Sequence, residues 1–169
     1  MTLPLYIIRY RTPAAFDDIV ITGDGDALTG VHFTEKAVES NVGLSEAPVP
    51  LRDACRWLDV YFGGREPGFL PPYRLDGATD FRRKVSELML LIPFGATETY
   101  GGIAREIAGA SGGRMSAQAV GGAVGWNPIG IIIPCHRVVG ADGSLTGYGG
   151  GMKNKIALLE HERASMKKV

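Results

Sequence analysis

Residues 131–139 read Ile-Ile-Ile-Pro-Cys-His-Arg-Val-Val, which sets a thiol, an imidazole and a guanidinium side by side between two β-branched apolar runs. No other stretch restricts the fold as tightly. Residues 129–133 read as a short buried strand, whereas Cys135, His136 and Arg137 after Pro134 read as a turn whose side chains are free for chemistry. The rest of the chain must bury the first part and leave a path to the second.

A thiol attacks only as thiolate, and an ordinary cysteine is mostly protonated near neutral pH. His136 and Arg137 can help by charge or by taking the proton. Neighbours on an extended segment face opposite ways, however, so a water relay is the alternative. An imidazole acting as base wants an acceptor on its other nitrogen, and Glu160 and Glu162 near the end of the chain are the candidates. Spacing does not choose between them. Cys, His and a carboxylate also build thiol hydrolases, so the triplet alone does not name a reaction.

The preceding segments supply context. Residues 6–10, 18–22 and 28–33 are β-branched and aromatic runs separated by turn residues, which predicts an antiparallel meander. His32, in the third run, has no second ligand at metal spacing and is assigned a structural or surface role. Residues 35–50 form a polar connection, as a loop or with a short helical turn. Residues 51–62 carry apolar side chains at helical spacing and stop at Gly63 and Gly64. Cys55 lies on that apolar face and is expected in the core. Residues 63–77 hold three prolines and four glycines. They read as a linker, which divides the chain into an N-terminal α/β domain, 1–78, and a C-terminal domain, 79–169.

Helical periodicity returns from residue 79 to Pro93, and again after Thr99, which can cap a helix reaching about Gly109. A third helix, about 115–124, consists almost wholly of small residues and includes adjacent glycines at 121 and 122. Each glycine costs about 1 kcal/mol of helix propensity. Two helices joined by a short glycine-containing turn resemble a helix-turn-helix. A major-groove reader would carry several long polar side chains, which are missing here. The bare surface suits close approach to a minor groove, or equally tight packing of helix on helix. A last helix is predicted over about 153–163.

Charge is uneven although its sum is zero. Lys and Arg number 7 against 11 Asp and Glu in residues 1–79, and 11 against 7 in residues 80–169, so the second half suits an anionic partner. The chain shows no leader, no apolar run of membrane length and no paired-cysteine metal spacing. A cytoplasmic protein is expected, with no membrane association and no metal.

Several of these segments occur together in one known family. The run 133–138 (Ile-Pro-Cys-His-Arg-Val), preceded by 119–123 (Ala-Val-Gly-Gly-Ala) and Asn127-Pro128, and followed by 147–150 (Gly-Tyr-Gly-Gly) and 158–162 (Leu-Leu-Glu-His-Glu), resembles the O6-alkylguanine-DNA alkyltransferases. The similarity covers roughly residues 80 to 163. It implies an α/β (α+β) protein: a small ribonuclease-H-like N-terminal domain with an antiparallel sheet, then a mostly helical, winged-helix-like DNA-binding domain.

The resemblance also implies roles. Cys135 would accept an alkyl group from the O6 of guanine once and irreversibly, without a cofactor, and the O4 of thymine is a candidate second donor. His136 would deprotonate Cys135 through a water, and the family's ending favours Glu162 as its orienting partner. Tyr100 would donate a proton to guanine N3, and Asn127 would hinge the helix to the active-site segment. Carbonyls of Cys135 and Val138 would meet the exocyclic amine, the amide of Gly149 would meet O6, and Tyr148 and Gly150 would line the pocket. Arg137 would be a structural tie. The DNA-contacting set would be Arg114, Ser116, Ala117, Gln118, Ala119, Gly121, Gly122 and Ala123. Double-stranded DNA containing O6-alkylguanine would be the partner, and the protein a monomer without it.

One position departs from the pattern. Gln118 stands where the family commonly has an arginine that fills the gap left by the flipped nucleotide, and substitution by Arg114, one helical turn earlier, is the less favoured alternative. Two rival readings remain: a non-enzymatic binder of alkyl lesions, which Cys135 disfavours, and a thiol hydrolase.

Overall fold

The computed structural model describes residues 3–168. Strands β1 (Tyr6–Tyr10), β2 (Asp18–Gly23) and β3 (Leu28–Thr34) form an antiparallel sheet in chain order. Alternation sets its inner face: Ile19 pairs with Phe33 and Ile21 with Val31, the aliphatic three buried and Phe33 half-buried against the core. Asp24 closes the β2–β3 turn by accepting from the amides of Asp26 and Ala27.

A single 3-10 turn, Leu44–Glu46, interrupts the connection to α1 (Val49–Phe62). Leu51, Ala54, Leu58 and Tyr61 of α1 are fully buried and pack on the sheet, and Cys55 lies in the same core. The proline- and glycine-rich segment that follows is pinned along β3. Leu28 N donates to Pro72 O at 2.8 Å, Arg74 N donates to Leu28 O at 2.9 Å, and Arg74 pairs with Asp24 at 2.7 Å.

The second half is mostly helical. Thr79 caps α2 (Asp80–Leu90) by accepting from Arg82 N, and Thr99 caps α3 (Tyr100–Ser111) by accepting from Gly102 N. Gly112, with φ 72°, ends α3, and Ser116 caps α4 (Ala117–Trp126). The chain finishes with α5 (Met152–Met166). A short parallel pair joins β4 (Glu98–Thr99) to β5 (Val138–Val139). That pair matters for function, because β4 leads directly into Tyr100 and β5 directly follows Arg137. Among the described residues, no helix is long and apolar enough to cross a membrane.

Two sequence expectations need correction. Residues 129–133 are buried as expected but do not form a strand. Only one bridge, Val31 to Ile129, is ladder-like, and the backbone then curls, with Gly130 N returning to Val31 O. Asn127 explains the difference: its side chain accepts from Ile129 N at 3.0 Å and donates to Ile133 O at 2.8 Å, replacing a strand's partners with a local clamp. Helix α4 begins two residues later than periodicity suggested, because Ser116 takes the capping position. Arg114 therefore sits in the connecting loop and not one turn back along the helix.

Candidate active site

Two tight turns in succession deliver Cys135. Ile132 N donates to Gly130 O at 2.8 Å across Ile131, whose φ is 67°, and Cys135 N donates to Ile133 O at 2.8 Å across Pro134, with φ −82° and ψ 65°. The second is the common inverse γ-turn; the first has the rare, strained sense. A β-branched residue at positive φ costs on the order of 1–3 kcal/mol. The site retains it because Ile131, Ile132 and Ile133 are all locked in the core. Gly130 is required here, since a Cβ would lie 2.9 Å from Val31 O.

Cys135, His136 and Arg137 occupy one 3-10 turn, which rotates them to different sides and not simply to opposite faces of a strand. Cys135 borders a cavity of about 220 Å³ shared with Tyr100, Gly121, Asn127, Tyr148, Gly149 and Gly150, together with Val31 and Phe33 of β3. His136 and Arg137 turn inward to Glu162 on α5. His136 Nε2 lies 2.5 Å from Glu162 Oε2, and Arg137 Nε donates to Oε1 at 2.8 Å.

Glu162 is 1% exposed and satisfied by four donors. The other two are the Tyr61 hydroxyl on Oε2 at 2.6 Å and the Gly95 amide on Oε1 at 2.9 Å. Burial works to raise its pKa, but the His136 hydrogen bond, the nearby positive charge and the Gly95 amide outweigh it and hold Glu162 at about 2. An ionised carboxylate only accepts, so His136 Nε2 must carry a proton. Burial lowers the His136 pKa, which favours the neutral ring. Its Nδ1 is then a lone-pair acceptor, and it is buried without a hydrogen-bond partner. Glu160 is exposed, so the structure separates the two candidate carboxylates.

The thiol is held in reserve. Burial raises the Cys135 pKa, opposed in part by a hydrogen bond with Asn127, the charge of Lys155 and a hydrogen bond with Tyr148. A thiol attacks only as thiolate, so chemistry at this sulfur would require its proton to leave. Arg137 also donates to Ile92 O at 2.7 Å and lies over the Phe94 ring, which ties the turn to the end of α2.

Helix α4 resolves the two readings of its small residues into two faces. Val120, Ala123 and Val124 are buried against α2 and α3, whereas Ala117, Gln118, Ala119 and Gly122 are exposed. Ala123, expected on the open face, is thus a core residue: it lies three positions after Val120, on the side of the helix that faces α2 and α3. Gly121 lies between the faces and backs onto the Tyr100 ring. Arg114 and Ser116 are exposed beside the helix start.

Residues 80–164 match the family model described as 6-O-methylguanine DNA methyltransferase, DNA binding domain. A Mycobacterium tuberculosis protein named methylated-DNA–protein-cysteine methyltransferase is 43% identical over 160 residues, 94% of each chain. One of the same name from Methanosarcina acetivorans is 40% identical, over 94% of this chain and 98% of its own. The crystal structure of Mycobacterium tuberculosis OGT in complex with DNA superposes with a TM-score of 0.73 at 38% identity, covering 95% of this chain and 93% of that one. The chain belongs to the methylated-DNA–protein-cysteine methyltransferase family.

Within this methyltransferase the sequence pattern left several site residues unseen. Lys155 is 1% exposed, and its ammonium donates to Val138 O at 2.9 Å and Thr146 O at 3.2 Å. Val138 was expected to meet substrate; its carbonyl already holds Lys155, and the residue does not border the cavity. Asn154 donates to Gly150 O at 2.7 Å and to Asp17 Oδ2 at 2.8 Å, anchoring the glycine loop to the N-terminal half. Tyr61 was legible only as one apolar position of α1. A usable signal existed for Lys155: with Leu158 and Glu162 it occupies one helical face, so a lysine shares a stripe with two buried residues.

Proposed function

We propose that this protein repairs DNA by a single transfer of an alkyl group from guanine O6 to Cys135, with O4-alkylthymine as a second candidate substrate. The observation that carries this reading is the buried chain that leads inward from Cys135 at the cavity wall to His136 and Glu162. A reserved thiol shares its 3-10 turn with an imidazole whose Nε2 is committed to a saturated carboxylate and whose Nδ1 has no hydrogen-bond partner.

In the reaction the Cys135 proton passes to His136 Nδ1 through a water, and Glu162 stabilises the imidazolium that forms. The sulfur attacks the alkyl carbon as the bond to O6 breaks, while Tyr100 donates its proton to guanine N3, so the base leaves neutral. Sulfur retains the alkyl group as a thioether, and the electrophile is the lesion itself, so no cofactor takes part.

DNA is the partner. The target oxygen lies within the stacked duplex, so the nucleotide must be flipped out at a cost of a few kcal/mol. The exposed small residues Ala117, Ala119 and Gly122 permit close approach of the α4 backbone to the minor groove, with Gln118 beside the vacated position. Gly149 and Gly150 receive the base, and Asn127 couples α4 to the reactive turn. Residues 1–78, with the linker at about 63–78, form a supporting domain, and residues 79–169 form the DNA-binding and acceptor domain. The protein acts as a cytoplasmic monomer until it meets DNA.

Intact-protein mass spectrometry after incubation with a duplex containing O6-methylguanine tests this. A stoichiometric gain of one methylene mass, absent in Cys135→Ser, is expected. An unchanged mass, or turnover of an ester with the thiol left free, would overturn it.

A further inference from the structure

Beside the cavity, the glycine-rich loop and α3 meet through one side-chain hydrogen bond: the Thr146 hydroxyl donates to the Tyr100 hydroxyl at 3.0 Å. Both partners are fixed from behind. Tyr100 follows the β4–β5 pairing and packs against α4 at Gly121, where an added Cβ would sit 3.8 Å from its ring. Thr146 has its carbonyl held by the buried Lys155 ammonium at 3.2 Å. Backbone restraint on both sides makes this contact part of the site.

A phenol carries one proton and two acceptor positions. When Thr146 fills an acceptor position, the Tyr100 proton remains available for another partner. We propose that Thr146 is a positioning residue for Tyr100, holding its oxygen so that its proton faces N3 of the bound guanine and stabilising the charge that grows on that oxygen during transfer. The inference rests on the reading of Tyr100 as the N3 donor. As the carbon–O6 bond breaks, the Tyr100 proton moves to N3 and the phenolic oxygen gains negative charge. Thr146 keeps its own proton, and its hydrogen bond becomes charge-assisted, hence shorter and stronger. The gain arises only in the transition state, so the chemical step should feel it and lesion binding should not.

Single-turnover transfer to Cys135 at saturating duplex tests the proposal, with O6-methylguanine compared against O6-methyl-3-deazaguanine, which lacks the N3 acceptor. Thr146→Val should slow the chemical step by roughly fivefold on the natural lesion with unchanged affinity. Thr146→Ser should restore the rate, and Thr146→Val should have no effect on the deaza substrate. Thr146 is exposed, so the variants are expected to fold. A Thr146→Val rate equal to wild type while Tyr100→Phe is slow would overturn the role of Thr146, as would equal slowing on both substrates. A Tyr100→Phe variant as fast as wild type on the natural lesion would instead overturn the donor assignment, and the role of Thr146 with it.

Discussion

Replacing Glu162 by glutamine should destabilise this methyltransferase at neutral pH and much less in acid. Glu162 is held at about 2 against an ordinary carboxyl value of 4.5. At about 1.4 kcal/mol per tenfold change, that difference corresponds to roughly 3 kcal/mol of stability. A depressed carboxylate contributes fully above its unfolded value, about 4.5, and its contribution is lost as pH falls through about 2. By about pH 3 less than half should remain. The structure gives a second route to the magnitude: Glu162→Gln leaves Arg137, 6% exposed, without its anion, and breaking a buried pair costs about 3–5 kcal/mol. Both figures describe one interaction and are not added. Urea unfolding of both proteins at pH 7, 5, 4 and 3 measures the gap, which should shrink steadily toward acid. A gap that stays constant from pH 7 to pH 3 would refute the claim that Glu162 is an ionised, fully satisfied acceptor.

Lys155→Met removes the donor for Val138 O and Thr146 O. Stability should fall by about 2 kcal/mol, and amide exchange should quicken at residues 146–150; unchanged exchange there would count against Lys155 as the loop's anchor. Gln118→Arg adds a cation on the exposed face of α4, so binding to a lesion duplex should tighten and its log–log salt slope should steepen by about 0.9. Equal affinity and equal repair rate for the two proteins would refute that. Because burial keeps the His136 pKa below its usual 6.5, the neutral base persists as pH falls, and alkyl transfer should hold nearly constant from pH 7.5 to 6.5. A tenfold fall across that interval would show that the base titrates higher.

Legibility in the sequence varied with the kind of interaction involved. Helix and strand positions came through closely because their signals are local: the Thr99 cap fell where expected, and β1, β2 and β3 match their apolar runs to within a residue. The 129–133 segment misled because continuous apolar residues report burial and not conformation. The Asn127 clamp and the edge of β3 decide its shape, and neither is visible in a hydropathy pattern. Ala123 misled for a related reason, since in a helix made of small residues periodicity alone does not mark the buried side.

From the sequence by itself came the candidate acceptor thiol in its Pro-Cys-His-Arg setting, the order of elements around it and the short list of carboxylates able to serve it. All of these depend on residue type and near neighbours. Tertiary structure alone decided how Glu162 is used. Its donors come from Tyr61, Gly95, His136 and Arg137, and Tyr61 is 101 positions away. A buried carboxylate survives as an anion only when every lone pair that leaves water finds a donor. That condition is met by packing α1, the residues after α2, and α5 around one turn, and no local pattern in the chain encodes it.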